Sequence, residues 1–246
     1  MKTPTAAILV VGNEVLTAKV QDENGPYAAK RLRALGVQLT ALLTLPDQLD
    51  VLAEAVARER TRVDWLFTSG GVGPTHDDVT LLAIARALGR SLARHPVLAD
   101  HIRGWHRRHG AEPPEAALRM ADVPEGTRLA GDPAYPVMVV ENVVMLPGVP
   151  QFFRAQFDAF TAVLDAPPFR LASVYLGIAE DLFVQALDRV ARDHADVDIG
   201  SYPRFDDADH RVRVTFEAKD AARVEAALRA FLATLPDGAL LRREGP

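Results

Sequence analysis

Three times before Gly89 the sequence repeats one figure: a short apolar run, a polar or glycine-containing loop, then apolar residues at helical spacing. Residues 5–11 (TAAILVV) are apolar and stop at Gly12, the pattern of a strand buried on both faces. Asn24-Gly25-Pro26 opens a helix carrying Tyr27, Leu32 and Leu35 and stopped at Gly36, with Asn24 read as its N-cap. A second strand over 37–45 ends at Pro46-Asp47, and Leu49, Leu52, Ala53 and Val56 define the next helix face. A third strand over 63–68 enters a glycine loop, beyond which Leu81, Leu82, Ile84, Ala85 and Leu88 continue as a helix. Such alternation implies parallel strands joined by right-handed crossovers, each crossover passing over a face of the sheet. The fold class is therefore α/β with a mostly parallel sheet.

Beyond Gly89 the figure changes. Residues 90–122 read as additional helices interrupted by Pro113-Pro114, and 137–146 as a hairpin around Glu141-Asn142. Pro147-Gly148-Val149-Pro150 leads into a helix whose Phe152, Phe153, Phe157 and Phe160 are expected to bury against the sheet. Pro167-Pro168 marks a boundary between a domain at 1–166 and a small α+β domain at 169–246. In the second, strand 170–176, helix 180–194, strands 197–202 and 211–217, helix 220–234 and strand 239–242 give the split βαββαβ pattern.

Several function classes are excluded or disfavoured. There is no cysteine, hence no disulfide, thiolate nucleophile or cysteine metal site. The net charge is −5, and the one basic cluster, 103–109, reads as a solvated helix face, so a nucleic-acid partner is not expected. His95, His101, His106 and His109 contain no i, i+4 pair and read as surface residues. The apolar runs are too short to span a bilayer, and the first residues lack the features of a secretion signal, so a cytoplasmic protein without a membrane partner is expected. The P-loop, the dinucleotide fingerprint after the first strand and the Gly-x-Ser-x-Gly elbow are all missing.

In open α/β sheets ligands bind beyond the carboxyl ends of the strands. The loops expected there carry Gly12-Asn13-Glu14 with Asp22 and Asn24, Pro46-Asp47, residues 69–80 (SGGVGPTHDDVT), and Pro147-Gly148-Val149-Pro150. Glycines let the main chain approach a phosphate, and the following helix offers unpaired N–H groups to an anion. Gly-Gly-x-Gly alone would be an ordinary strand-to-helix turn; followed by Pro-Thr-x-Asp-Asp-x-Thr it becomes far more specific. Asp77 and Asp78 beside a phosphate would repel it unless a divalent cation bridged the two. The plainer role for either is helix capping; the expectation is that one caps and the other meets ligand or metal.

Together, Gly12-Asn13-Glu14-Val15-Leu16, Gln21-Asp22-Glu23-Asn24, the loop 70–80 and Leu146-Pro147-Gly148-Val149-Pro150 resemble the molybdopterin-binding-domain superfamily. Within it the chain resembles the competence/damage-inducible protein A (CinA)-like family, nearest the branch that includes the N-terminal domain of eukaryotic FAD synthase. Gly73-Pro74-Thr75-His76-Asp77-Asp78-Val79-Thr80, the stretch 197–203 and the stretch 211–215 carry that likeness. Members often have glycine shortly after the first-strand motif, where this chain has Thr17-Ala18-Lys19. The resemblance implies a three-layer fold and a divalent-metal-dependent (Co, Mg or Mn), potassium-assisted pyrophosphatase acting on a nucleotide diphosphate such as ADP-ribose or FAD. It implies ligand-binding roles for Gly12, Glu14, Asn24, Ser69, Gly70, Gly71, Gly73, Pro74, Thr75, Thr80, Pro147 and Gly148. Asp77 and Asp78 would be catalytic and, with Glu14, would hold metal. The amides of Gly70, Gly71 and Gly73 would hold the diphosphate. Neither the amidohydrolase domain of competence/damage-inducible proteins nor the adenylyltransferase domain of FAD synthase falls within these residues, so those activities are not expected. The alternatives are molybdopterin binding or adenylylation in molybdenum cofactor synthesis, and a nucleotide-binding module without turnover. Relatives associate, and a homo-oligomer is expected on that basis.

Overall fold

The computed structural model describes residues 3–162, 164, 166–204 and 209–245. The chain divides into two compact units, Met1–Ala166 and Pro167–Pro246.

The first unit begins β1 (Thr5–Val11), α1 (Asn13–Leu16), α2 (Asn24–Ala34), β2 (Gln38–Leu45), α3 (Leu49–Glu59), β3 (Trp65–Ser69) and α4 (Thr80–Ala87). It continues β4 (Leu92–Arg94), α5 (Pro96–Arg108), α6 (Glu115–Leu118), β5 (Asp122–Pro124), β6 (Arg128–Ala130), β7 (Val137–Val140), β8 (Val143–Leu146) and α7 (Pro150–Thr161). Six strands form one sheet in the order β2-β1-β3-β8-β7-β6. The first four are mutually parallel, and β7 and β6 extend the sheet antiparallel.

Strand β1 is apolar throughout because its two faces serve two cores. Ala7, Leu9 and Val11 join α3 and α4 on one side; Ala6, Ile8 and Val10 join α2 and α7 on the other. Strand β2 lies at the sheet edge and alternates exposed and half-buried residues along its length. The expected hairpin at 137–146 is β7–β8, turning through Glu141 at φ 51.

Three readings change. Residues 90–122 hold the expected helices α5 and α6, but β4 and β5 flank them as an antiparallel pair. Three-residue strands are too short for periodicity to register. Asn24 does not cap α2: the Asp22 carboxylate accepts from the amides of Asn24 (2.9 Å) and Gly25 (3.0 Å), leaving the Asn24 side chain for another task. Phe153, Phe157 and Phe160 are buried as expected, whereas Phe152 is 44% exposed, since four phenylalanines within nine residues span more than one face of α7. Within Thr17-Ala18-Lys19, Ala18 has φ 55, a left-handed conformation.

The second unit contains β9 (Arg170–Leu176), α8 (Val184–Asp193), β10 (Asp198–Pro203), β11 (Val212–Ala218), α9 (Ala221–Leu232) and β12 (Leu240–Glu244). Its sheet runs β10-β11-β9-β12 with every neighbouring pair antiparallel. Val212, Val214 and Phe216 of β11 pack with Leu187, Val190, Leu228 and Phe231 of the two helices. The Asp220 carboxylate caps α9, accepting from the Ala222 amide at 2.8 Å. No helix among the described residues is long and apolar enough to cross a membrane.

Phe157 is fully buried between Phe67 and Phe153, so Phe157→Ala should destabilise the first unit by about 3–5 kcal/mol. Phe152→Ala should stay within about 0.5 kcal/mol of wild type. Both tryptophans, Trp65 and Trp105, lie in this unit, so urea unfolding followed by tryptophan fluorescence reads it alone. In the same assay Ala18→Gly should stabilise, because a left-handed alanine costs about 1–2 kcal/mol and glycine's extra unfolded-state entropy offsets about 0.5–1 kcal/mol of the relief.

Candidate functional site

Because β2, β1, β3 and β8 are parallel, the loops leaving their carboxyl ends start from one edge of the sheet. Main-chain packing sets the shape of that edge. Gly70, at φ 99, donates its amide to the Leu146 carbonyl (3.1 Å), and a Cβ there would run into the Val11 carbonyl oxygen. Gly71, at φ 66, lies against the buried Thr80 hydroxyl, which donates to the Gly70 carbonyl at 2.8 Å. A Cβ on Gly148 would stand 3.3 Å from the Gly70 Cα. The ends of β1, β3 and β8 thus meet at van der Waals distance.

Asn24 locks this arrangement. It is 5% exposed, and its Nδ2 donates to Ser69 Oγ (2.9 Å) and to the Gly148 carbonyl (2.7 Å). The side chain therefore ties the start of α2 to the ends of β3 and β8. Asp47 plays a similar part on the other side, its carboxylate accepting from the Asn13 amide at 2.8 Å.

Between these loops lies a cavity of about 520 Å³. Gly70, Gly71, Val72 and Gly73 line one part and Pro147, Gly148 and Val149 another, with Glu14, Asp47, Thr75, Asp77, Asp78 and Met120 also on its wall. Among the described residues, the amides of Gly71, Val72 and Gly73 have no protein acceptor. Among the described residues, four carboxylates share the wall, and the lining holds no lysine, arginine or histidine.

The cavity brings together Glu14, Gly70, Gly71, Gly73, Thr75, Asp77, Asp78, Pro147 and Gly148 of the residues singled out in the sequence. Gly12, Asn24, Ser69, Pro74 and Thr80 are not on its wall; Asn24, Ser69 and Thr80 act behind it as braces. The Gly70 amide is spent on Leu146, so the unspent donors on this loop belong to the next three residues, all of which line the cavity. Neither Asp77 nor Asp78 caps α4, whose first residue follows Val79 with no side-chain cap. Both turn instead to Thr75, whose Oγ1 stands 2.5 Å from Asp77 Oδ1 and from Asp78 Oδ2, while Asp78 Oδ2 also accepts from the Thr75 amide at 2.8 Å. Glu14 does not complete a cluster with them. Its carboxylate folds back over Gly12, and no group of three acidic or histidine side chains among the described residues is arranged to hold a metal. Asp47, read in the sequence only as part of the Pro46-Asp47 loop beyond the second strand, is on the wall as well, whereas Met120 was not singled out, since it sits in a short helical turn with no distinguishing signal.

Residues 7–166 match the family model described as probable molybdopterin binding domain, and residues 168–244 match that of the FAD synthase middle domain. A protein of Archaeoglobus fulgidus is 33% identical over 232 residues, covering 94% of this chain and 97% of its own length. A protein named "Probable FAD synthase" from Caenorhabditis elegans is 31% identical over 263 residues, covering 93% of this chain and 50% of that protein, so the chain spans half of it. Among solved structures, that of the protein CinA from Thermoplasma acidophilum superposes with a TM-score of 0.56 at 28% identity, covering 62% of this chain and 93% of that one.

The Thr75 hydroxyl, followed by Asp77's own amide, holds the Asp77 carboxyl below its ordinary value of 3.8. A depressed folded-state pKa contributes stability that is present above the unfolded value and lost as pH falls through the folded one. Thr75→Val should therefore return the Asp77 pKa towards 3.8, read from the side-chain carboxyl resonance in an NMR titration. An unmoved titration curve would show that the hydroxyl is not what depresses it.

Proposed function

This chain belongs to the molybdopterin-binding-domain family, and we propose that its first unit is a metal-dependent hydrolase cleaving the pyrophosphate bond of a nucleotide diphosphate such as ADP-ribose or FAD. The observation that carries this reading is the composition of the cavity wall: among the described residues, three unspent main-chain amides, four carboxylates and no basic side chain. Amides in series favour an anion. Unaccompanied carboxylates oppose it, at several ångströms and low effective dielectric, by more than such donors return. The two tendencies are reconciled when a diphosphate enters with a divalent cation.

Asp77 and Asp78 suit that cation. Thr75 has one hydroxyl proton for two carboxylate oxygens at 2.5 Å, so one oxygen is always left facing a lone pair. A cation of the magnesium type takes one or two carboxylates, keeps waters and completes its shell with substrate phosphate, so it needs no third protein ligand. When bound it supplies Lewis acidity and neutralises charge on the phosphoryl oxygens. The amides of Gly71, Val72 and Gly73 would hold the non-bridging oxygens, and they are fixed in advance because Gly70, Thr80 and Asn24 hold the loop from behind. In the reaction water adds to one phosphorus and the bridging oxygen leaves with the other. ADP-ribose gives AMP and ribose 5-phosphate; FAD gives AMP and FMN.

The test is ³¹P NMR of ADP-ribose and FAD incubated with the chain and Mg²⁺, Mn²⁺ or Co²⁺, with and without K⁺. Two phosphomonoester signals should replace the diphosphate pair, and chelation should stop the reaction. Asp78→Ala should lower kcat/KM by at least about 100-fold, the scale of one lost transition-state contact, with an unchanged fluorescence-detected unfolding curve. Wild-type turnover by that variant would refute the role of Asp78. If no metal supports turnover and the chain binds molybdopterin tightly, the cavity serves the pterin instead.

A further inference from the structure

The split βαββαβ unit covers one face of its sheet with α8 and α9 and leaves the other without a helix of its own. Register places four residues of that second face in a single row across all four strands: Tyr202 of β10 pairs with Arg213 of β11, Arg213 with Tyr175 of β9, and Tyr175 with Arg242 of β12. Ring and guanidinium alternate along the row, and each guanidinium lies over one ring. The Arg213 guanidinium carbon lies 5.0 Å from the Tyr202 ring centroid, and that of Arg242 lies 3.8 Å from the Tyr175 centroid.

The two halves of the row differ. Arg242 is neutralised by Asp209 at 2.7 Å and Glu244 at 3.3 Å, and Tyr175 beneath it is 8% exposed and donates its hydroxyl to Glu244. That half is a finished structural packing. Arg213 has no carboxylate partner among the described residues, and Tyr202 is 49% exposed. The Tyr202 ring lies over Gly200, two residues back on the same face, where a Cβ would stand 2.6 Å from the phenol oxygen. Glycine at 200 is what lets the ring lie down on the sheet. A guanidinium stacked on a ring keeps its N–H edge available, and that edge matches phosphate oxygens. The half-exposed Tyr202 ring still leaves aromatic surface against which a base can pack. Tyr202, Arg213, Tyr175 and Arg242 also line a cavity of about 410 Å³, within the range of small-ligand sites.

We propose that the face bearing Tyr202 and Arg213 is a second nucleotide site, taking a base on Tyr202 and its phosphate on Arg213. A mononucleotide fits better than a nucleic-acid strand. The next rows of the same face hold Gly200, Thr215, Ser173 and Glu244, then Asp198, Glu217 and Leu171, so a phosphate backbone leaving Arg213 in that direction meets carboxylates. The chain as a whole carries net charge −5.

The test uses the full chain with ring-labelled tyrosine. Of its four tyrosines only Tyr175 and Tyr202 lie in this unit, so Tyr27 and Tyr135 report any effect in the other. Titration with AMP should shift the Tyr202 signals. Adenosine alone and inorganic phosphate alone should each bind at least about tenfold more weakly, since each lacks one of the two contacts. Arg213→Gln should weaken AMP about tenfold, as expected for a lost charge-assisted hydrogen bond, while an Asp78→Ala background should leave the Tyr202 response unchanged. The proposal is overturned if AMP moves only Tyr27 or Tyr135, or nothing at millimolar concentration. It is overturned equally if Arg213→Gln binds like wild type, or if a single-stranded oligonucleotide binds far more tightly than AMP.

Discussion

The first unit depends on three main-chain segments meeting without side chains between them. Val11 ends β1, and Gly70 and Gly148 lie just past the ends of the neighbouring parallel strands β3 and β8; at Gly70 there is no room for even one carbon atom. The Gly70 amide closes the ladder to Leu146, and the Thr80 hydroxyl takes its carbonyl, so all of this residue's polar capacity is used internally. Consequently the chain must turn away from the sheet at the next residue. Gly71, Val72 and Gly73 then line the cavity, and among the described residues nothing of the protein's own satisfies their amides. Unsatisfied donors in a concave, partly buried place cost free energy unless water or a ligand meets them.

What surrounds those donors is as informative as the donors themselves. A phosphate site built with arginine or lysine is ready for its ligand at all times; one walled by carboxylates is attractive only to an anion that brings positive charge. The site proposed on the second unit would hold an anion the other way, with a guanidinium lying over a tyrosine ring and no metal needed. The two units thus differ in ionic logic. High salt should weaken the Tyr202–Arg213 face directly, whereas the rim should respond first to removal of divalent cations.

Much of this was legible in the residues. The unbroken apolar run of β1, the Pro-flanked hairpin and the βαββαβ order each follow from a strong, local pattern. So does the convergence of the loops, because parallel strands put their carboxyl ends on one edge whatever the side chains are. The individual roles were less legible. Asn24 looks like a helix cap because asparagine at a helix start usually is one, yet Asp22 does the capping and Asn24 reaches two distant strands. Asp77 and Asp78 look like a cap and a ligand, yet a threonine two and three residues earlier draws both away from the helix end. In each case residue type alone did not say which of its possible partners a side chain takes: Asn24 reaches residues 45 and 124 positions away, and Asp77 and Asp78 both turn to Thr75.

The row of Tyr202, Arg213, Tyr175 and Arg242 shows the same limit in its plainest form. Each strand of the second unit announces itself by alternation, and alternation says which residues share a face of one strand. It says nothing about which residue of the next strand stands opposite. A slip of one residue in β11 would put Val212 or Val214 beside Tyr202 and turn Arg213 into the helices, at the cost of burying a charge. The apolar residues of β11 therefore fix the register through the core they fill, and the stacked row on the opposite face is the consequence. A functional surface of this kind is specified by the residues that point away from it.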